Sequence, residues 1–244
     1  MRADQRVAVV TGGAQGIGEA IARRFAEVNY ALAILDLQDS GQRVADDIVQ
    51  GGGCASFYKC DLTDIGQVRE VANQVEHLGP LGALVNNAGW SSTSPFLDQD
   101  PAVWARTIAI NYTAVLNVCH AFGPQLNDDG AIVNVASDAA RIGVAGQAVY
   151  AGAKAAVIGF SKSLAVELAK RGVRVNVVCP GTTRTPLLES MFSEEDIAKR
   201  VRIIPLRRLA MPEDLAKTVV FLATEATHVT GQVISVSGGA SRVG

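Results

Sequence analysis

The chain has 244 residues, 48% hydrophobic, with 24 acidic against 22 basic side chains and a net charge of −2. That length can bury one substantial core, and the near-balance of charge lacks the basic stripe with interleaved aromatics that nucleic-acid binding requires. No run approaches the ~18 consecutive apolar residues of a membrane span, and "MRADQRVAVV" passes straight into a strand-like segment without a signal-peptide pattern, so a cytoplasmic location is expected.

In chain order, short β-branched runs alternate with longer helical stretches. The runs are RVAVV (6–10), ALAIL (31–35), ALVN (83–86), AIVNVA (131–136), VRVNVV (173–178) and QVISV (232–236), separated by helical patterns such as Gly16–Val28 and Asp64–Leu78. Apolar runs without alternation suit strands buried on both faces, and the helices between them provide the crossovers of a parallel sheet. The expected fold class is α/β, a doubly wound three-layer sandwich. With no repeat, low-complexity tract or Pro/Ser-rich linker, residues 1–244 read as a single domain. The stretch Thr185–Met211 reads as irregular and, following a strand's carboxyl end, as a lid over a ligand crevice.

Cys54, Cys60, Cys119 and Cys179 are far apart without a C-x-x-C pair and read as reduced core thiols. His77, His120 and His228 occur singly, leaving neither a metal cluster nor an obvious Ser-His-Asp set. If the chain is an enzyme, its base is not expected to be histidine.

The turn VTGGAQGIG follows the first run directly, with glycines at 12, 16 and 18. Such a turn lets backbone approach a pyrophosphate while the next helix offers free amides and the positive end of its dipole; the same glycines also suit a strand and helix that simply pack closely. Asp36 closes LAILD about twenty residues later, where a carboxylate accepts hydrogen bonds from adenosine ribose hydroxyls and repels an additional phosphate, which favours NAD over NADP. Capping of the next turn is the alternative role for Asp36.

VYAGAKAAV (149–157) sets Tyr150 and Lys154 one helical turn apart among small residues. Hydride removal from an alcohol needs a group to take the hydroxyl proton, and a phenol with an ordinary pKa near ~10 is a poor base at neutral pH unless a cation stabilises the phenolate. Residues at i and i+4 have Cβ atoms roughly 5–6 Å apart, so Lys154 is placed to do this; a surface Tyr and Lys snorkelling from an alanine-rich helix is the alternative. Ser137 ends AIVNVAS at a strand's carboxyl edge, suited to holding a substrate oxygen or to capping a turn. Asn111 lies within a helical stretch, IAINYTAVLNV, where asparagine serves packing or a local kink.

In this order and spacing, T-G-x-x-x-G-x-G, NNAG at 86–89, Asn111, Ser137, Tyr150-x-x-x-Lys154 and PGTTRT at 180–185 resemble the classical short-chain dehydrogenase/reductase family over essentially the whole chain. The resemblance implies a Rossmann-like fold of seven parallel strands, a nicotinamide cofactor, reversible oxidation of an alcohol to a carbonyl, and a homotetramer. It implies a catalytic set of Asn111, Ser137, Tyr150 and Lys154, in which Lys154 also bonds the nicotinamide ribose and Asn111 holds a water linking Lys154 to solvent. It places Gly12, Gln15, Gly16, Ile17, Gly18, Asp36, Leu37, Asp61, Leu62, Asn87, Ala88 and Gly89 along the pyrophosphate and adenosine side. Pro180, Gly181, Thr183 and Thr185 match the segment that binds the nicotinamide amide, with Thr183 standing where an aliphatic residue is common. Asp61 equally suits a cap of the following helix.

Substrate choice is expected from Trp90, Arg141, Gln147, Leu188 and Met191, with Leu187 and Phe192, a mostly apolar set suited to a hydrophobic or alicyclic group. NNAGW, VNVASDAARIG, VNVVCPG and TGQVISVSGG look most like the branch of 2-hydroxycyclohexanecarboxyl-CoA dehydrogenases, which implies a hydroxyacyl-CoA thioester. Lys199, Arg200, Arg202, Arg207 and Arg208 offer either a CoA-phosphate handle or an ordinary solvated face, with Arg208 paired to Glu213 or Asp214. Two rival readings stand beside the NAD-dependent alcohol dehydrogenase: an NADPH-dependent 3-oxoacyl-thioester reductase, and a dinucleotide sensor without catalysis. The stripe Val157, Phe160, Leu164 and Leu168 faces either the sheet or a partner subunit.

Overall fold

The computed structural model describes residues 5–243. In chain order it contains β1 (Val7–Thr11), α1 (Gly16–Glu27), β2 (Ala31–Asp36), α2 (Ser40–Gln50), β3 (Cys54–Lys59), α3 (Ile65–Glu76), β4 (Leu81–Asn86), α4 (Pro101–Ile108), α5 (Ala114–Phe122), β5 (Leu126–Val135), α6 (Ala139–Ile142), α7 (Ala148–Leu168), β6 (Arg174–Pro180), α8 (Pro186–Met191), α9 (Glu194–Ile203), α10 (Pro212–Thr224) and β7 (Val233–Val236). All seven strands pair in parallel in the order β3-β2-β1-β4-β5-β6-β7. The order reverses between β1 and β4, which opens a crevice at the carboxyl ends of these two strands.

β1, β2 and β4 are buried at every residue, as uniformly apolar sequence requires of strands covered on both faces. One face packs against α1, α2 and α10 through Ile21, Phe25, Val44, Leu215 and Val219. The other packs against α3, α5 and α7 through Val68, Val115, Phe122 and Val157. Phe160, Leu164 and Leu168 pack against that second core with Val157, so the α7 stripe faces the sheet.

Two features differ from the sequence expectation. The seventh strand, β3, is the edge strand CASFYK, partly exposed along its length, so its composition is mixed and carries no uniform apolar run. Residues 185–211, expected to be irregular, contain α8 and α9. Thr185 Oγ1 accepts from the Leu188 amide to start α8, and Ser193 caps α9. Three acids open α9 and Arg200 and Arg202 close it, matching the helix dipole. Its polar surface masks a narrow stripe that joins Ile197, Ile204 and Leu209 to Leu188, Phe192 and Val201.

Candidate functional site

The glycine-rich turn lies at the reversal of strand order. Gly18 has no room for a side chain: a Cβ would stand 2.0 Å from the Gly12 carbonyl oxygen and 2.6 Å from Asn87 Nδ2, so this glycine lets α1 start against β1. Gly16 instead has φ +58° and meets only ordinary contacts from Thr185, a backbone need and not a packing one. The Gln15 side chain makes no capping hydrogen bond, which leaves the first amides of α1 directed at the crevice, the arrangement that receives a pyrophosphate.

Asp36 ends β2 with its carboxylate buried. Oδ2 accepts from the Ala14 amide at 3.0 Å and Oδ1 from the Gln38 amide at 3.0 Å, so the acid ties the glycine turn to β2 and also caps the turn after it. Leu37 beside it is exposed. The opposite wall is bound by Thr11, a residue that the sequence reading left outside the site. Its Oγ1 accepts from the Asn87 and Ala88 amides at 3.0 and 3.2 Å, while Asn87 Nδ2 donates to the carbonyls of Thr11 and Gly12. Asp61 makes a local turn, accepting from Thr63, and Asp64 caps α3, so that capping role does not fall to Asp61. Asn117 Nδ2 holds the Leu62 carbonyl at 3.0 Å.

Farther along the crevice the four expected catalytic residues come from three places: the loop after β5, α7 and the turn between α4 and α5. Ser137 follows β5 and sets its hydroxyl beside the Tyr150 phenol of α7, while also accepting from the Ala139 amide at 3.2 Å. Lys154, one turn further along α7 and only 2% exposed, donates to the Val135 carbonyl at 2.9 Å. Asn111 is fully buried in a π-helical turn, Ala109–Thr113, between α4 and α5. Its Nδ2 donates to the carbonyls of Trp90 and Thr107 at 2.7 and 2.9 Å, and its Oδ1 accepts from the Trp90 amide at 3.2 Å. The local kink that a mid-helix asparagine implies is this extra residue in the turn. Gly89 joins the set, since a Cβ there would stand 3.0 Å from Asn111 Oδ1 and 3.4 Å from Lys154 Nζ.

The electrostatics differ from the simple i, i+4 argument. Burial pushes the Tyr150 phenol above its ordinary 10.0, opposed by the nearby Ser137 hydroxyl, and burial brings Lys154 down to about 8. Desolvation is the largest cause for both groups and neither shift draws on the other, so Lys154 alone does not depress the phenol.

β6 ends at Pro180, and Gly181 bonds through its amide to the Val236 carbonyl. Thr183 Oγ1 donates to the Gly181 carbonyl at 3.1 Å, and Thr185 stands against Gly16 across the crevice. Among the expected substrate residues, Trp90 lies beneath the Arg106 guanidinium at 4.3 Å, Gln147 precedes α7, and Leu188 packs into the Ile197 cluster. The Met191 side chain lies outside the described residues. Arg141 turns to Ser235 and the Val243 carbonyl, toward β7. In the basic group, Lys199 pairs with Glu195, Arg208 with Asp214, and Arg200 stacks on Phe192 at 3.9 Å. Among the described residues no group of three or more His, Cys, Asp or Glu is placed to hold a metal, and no helix is long and apolar enough to cross a membrane. Cys60, Cys119 and Cys179 are buried and unpaired.

A parallel sheet in this order, with a glycine turn and an uncapped helix start at its strand-order reversal, defines a dinucleotide-binding α/β fold. The profile of a family described as enoyl-(acyl carrier protein) reductase matches residues 12–241. The chain is 37% identical to oxidoreductase UcpA of Salmonella typhimurium, covering 97% of this chain and 94% of that protein. It is 34% identical to 2,3-dihydro-2,3-dihydroxybenzoate dehydrogenase of Bacillus subtilis, covering 97% and 96%. A solved variant of actinorhodin polyketide ketoreductase with NADPH superposes with TM-score 0.93 at 30% identity over 99% of each chain. The chain is therefore a member of the classical short-chain dehydrogenase/reductase family, an oxidoreductase that works with a nicotinamide dinucleotide.

Proposed function

We propose that the protein is an NAD-dependent dehydrogenase that interconverts a secondary alcohol and a ketone. The observation that carries this reading is the Tyr150 phenol beside the Ser137 hydroxyl, with Lys154 buried one turn away. In the oxidative direction Ser137 holds the substrate oxygen, Tyr150 takes the hydroxyl proton, and the hydride leaves the carbinol carbon. The bound dinucleotide supplies the hydride acceptor and a positive charge near the phenol. Lys154 sits where a proton passes on from Tyr150. Both amide protons of Asn111 are committed to the carbonyls of Trp90 and Thr107, so a relay water at this residue bonds to an oxygen.

Asp36 supports NAD, because its buried carboxylate stands where a ribose phosphate would be repelled. Lys59, directly across from Asp36 in the sheet, pairs at the surface with Asp39 at 2.9 Å. The ketoreductase with NADPH keeps the rival assignment in view, and the ratio of kcat/KM with NAD to that with NADP decides between them. An alicyclic or hydrophobic alcohol, such as a hydroxyacyl-CoA, fits the apolar residues of the 185–211 lid, and the dihydroxybenzoate dehydrogenase shows a relative named for a ring diol. The protein works as a single domain, as a homotetramer in the cytoplasm. The test is NADH formation across secondary alcohols, pairing alicyclic hydroxy acids with their CoA thioesters. Tyr150→Phe should abolish turnover while sparing NADH binding, and retained turnover refutes the assignment of the base.

A further inference from the structure

Arg141 has the position of a substrate ligand in sequence, three residues before the Val144–Gln147 turn, yet its guanidinium is already committed. It donates to Ser235 Oγ at 2.6 Å and to the Val243 carbonyl. Ser235 Oγ in turn donates to Asp138 Oδ1 at 2.5 Å. Asp138 is the neighbour of Ser137 and only 5% exposed; its amide donates to the Pro180 carbonyl at 3.0 Å, and its Oδ2 is buried with no hydrogen-bond partner. A chain of side chains therefore runs from the serine loop, through β7, to the segment 237–243.

That segment also touches two other parts of the crevice. The Leu206 amide donates to the Gly238 carbonyl at 3.1 Å, and a Cβ on Gly238 or Gly239 would stand 2.8 Å from Ile204 Cγ2 or 3.0 Å from Pro205 Cγ. These contacts lie where α9 ends. Gly181, in the nicotinamide-side turn, packs with a Cβ position 2.7 Å from Ser237 Cβ. One short segment thus meets the serine loop, the Gly181 turn and the end of the lid. The charges of Asp138, Arg141 and Lys154 all act on the thiol of Cys179, which places the network beside the catalytic lysine.

A buried carboxylate with a single side-chain partner is an expensive way to hold a surface segment, since removing that partner strands a desolvated charge. Its return is geometric: the hydroxyl of Ser235 bonds only when the serine loop, β7 and Arg141 are all in place. We propose that Asp138, Ser235 and Arg141 are positioning residues that clamp the segment 237–243, so that Ser137, the Gly181 turn and the end of the lid keep one relative placement. Arg141 acts through Ser235 and touches no substrate. The proposal rests on Ser137 holding the substrate oxygen.

The test uses Ser235→Ala, Ser235→Thr and Arg141→Met in the full chain, with two readouts. Hydrogen exchange in peptides covering 137–143 and 237–243 requires no substrate. Ser235→Ala and Arg141→Met should each speed exchange in both segments by about tenfold, while Ser235→Thr, which keeps the hydroxyl, stays near the parent and NADH affinity changes by less than about threefold. In steady-state kinetics, the first two should lower kcat by about tenfold with KM nearly unchanged, and Ser235→Thr should restore it. Unchanged exchange in both segments overturns the clamp even if no substrate has been found for the parent. Faster exchange with an unchanged kcat overturns the positioning role. A large rise in KM for Arg141→Met, with Ser235→Ala behaving as the parent, overturns it in favour of Arg141 as a substrate ligand.

Discussion

Lys154→Met separates the cost of the buried lysine from its use. The unfolded chain keeps a proton on Lys154 up to about pH 10.5, the folded chain only up to about pH 8. Between those values the unfolded state binds more protons, so this residue makes stability rise with pH across the window; as pH falls from 10.5 to 8 that stability is lost, and below 8 the penalty is constant. At about 1.4 kcal/mol per pH unit, the penalty at neutral pH is about 3 kcal/mol. Methionine fills similar volume without the charge but gives up the bond to the Val135 carbonyl, worth about 0.5–1.5 kcal/mol for the neutral amine, the ammonium's share being already inside the shift. The desolvation penalty exceeds the lost bond at pH 7 and is absent at pH 10.5, so Lys154→Met should be about 2 kcal/mol more stable than the parent at pH 7 and about 1 kcal/mol less stable at pH 10.5. Urea unfolding followed by circular dichroism, at fixed protein concentration and without cofactor, measures the difference at each pH. Parallel stability curves for the two proteins between pH 7 and 10.5 would refute the reasoning, because they would mean that folding does not desolvate this ammonium. Turnover should be lost throughout, making Lys154 a residue whose chemistry is maintained against stability.

Three further outcomes are expected. Asp36→Ala removes the acceptor of the Ala14 and Gln38 amides and the charge facing the ribose; the NAD to NADP ratio of kcat/KM should fall by about a hundredfold, and an unchanged ratio would dismiss Asp36 as the selector. Gly18→Ala puts a methyl 2.0 Å from the Gly12 carbonyl oxygen, so NADH binding measured by calorimetry should disappear and stability should drop by about 3 kcal/mol; normal binding would contradict the packing. Arg174, buried on β6, donates to the carbonyls of Leu222, Ala223 and Ala226 at the end of α10. Arg174→Met should cost about 3 kcal/mol, seen as a fall of about 6–12 °C in Tm, with NADH binding retained.

Much of the fold was legible because the informative strands are buried on both faces. β1, β2, β4, β5 and β6 read as apolar runs for that reason, and the glycines, Asp36 and the Tyr150–Lys154 pair could be found because their spacing is local: one turn, one helical repeat, one βαβ unit. The edge strand β3 and the helices α8 and α9 were less visible. Half-exposed elements carry mixed composition, and the apolar stripe of α9 is too narrow to stand out from its charges.

The site divides in the same way. The sequence alone determines which chemical groups are available and their order along the chain, since local spacing sets which side chains share a helix face. Tertiary structure decides what each group does with its hydrogen bonds. Asn111 spends its amide on Trp90 because a π-turn brings it there, and Thr11 becomes the acceptor that joins β1 to β4 because those strands meet where their order reverses. Arg141 and Ser235, ninety-four residues apart, meet only in the fold. Burial, which no local spacing encodes, raises the Tyr150 phenol and lowers Lys154 together, because desolvation is a property of everything packed around a group and not of its neighbours in the chain.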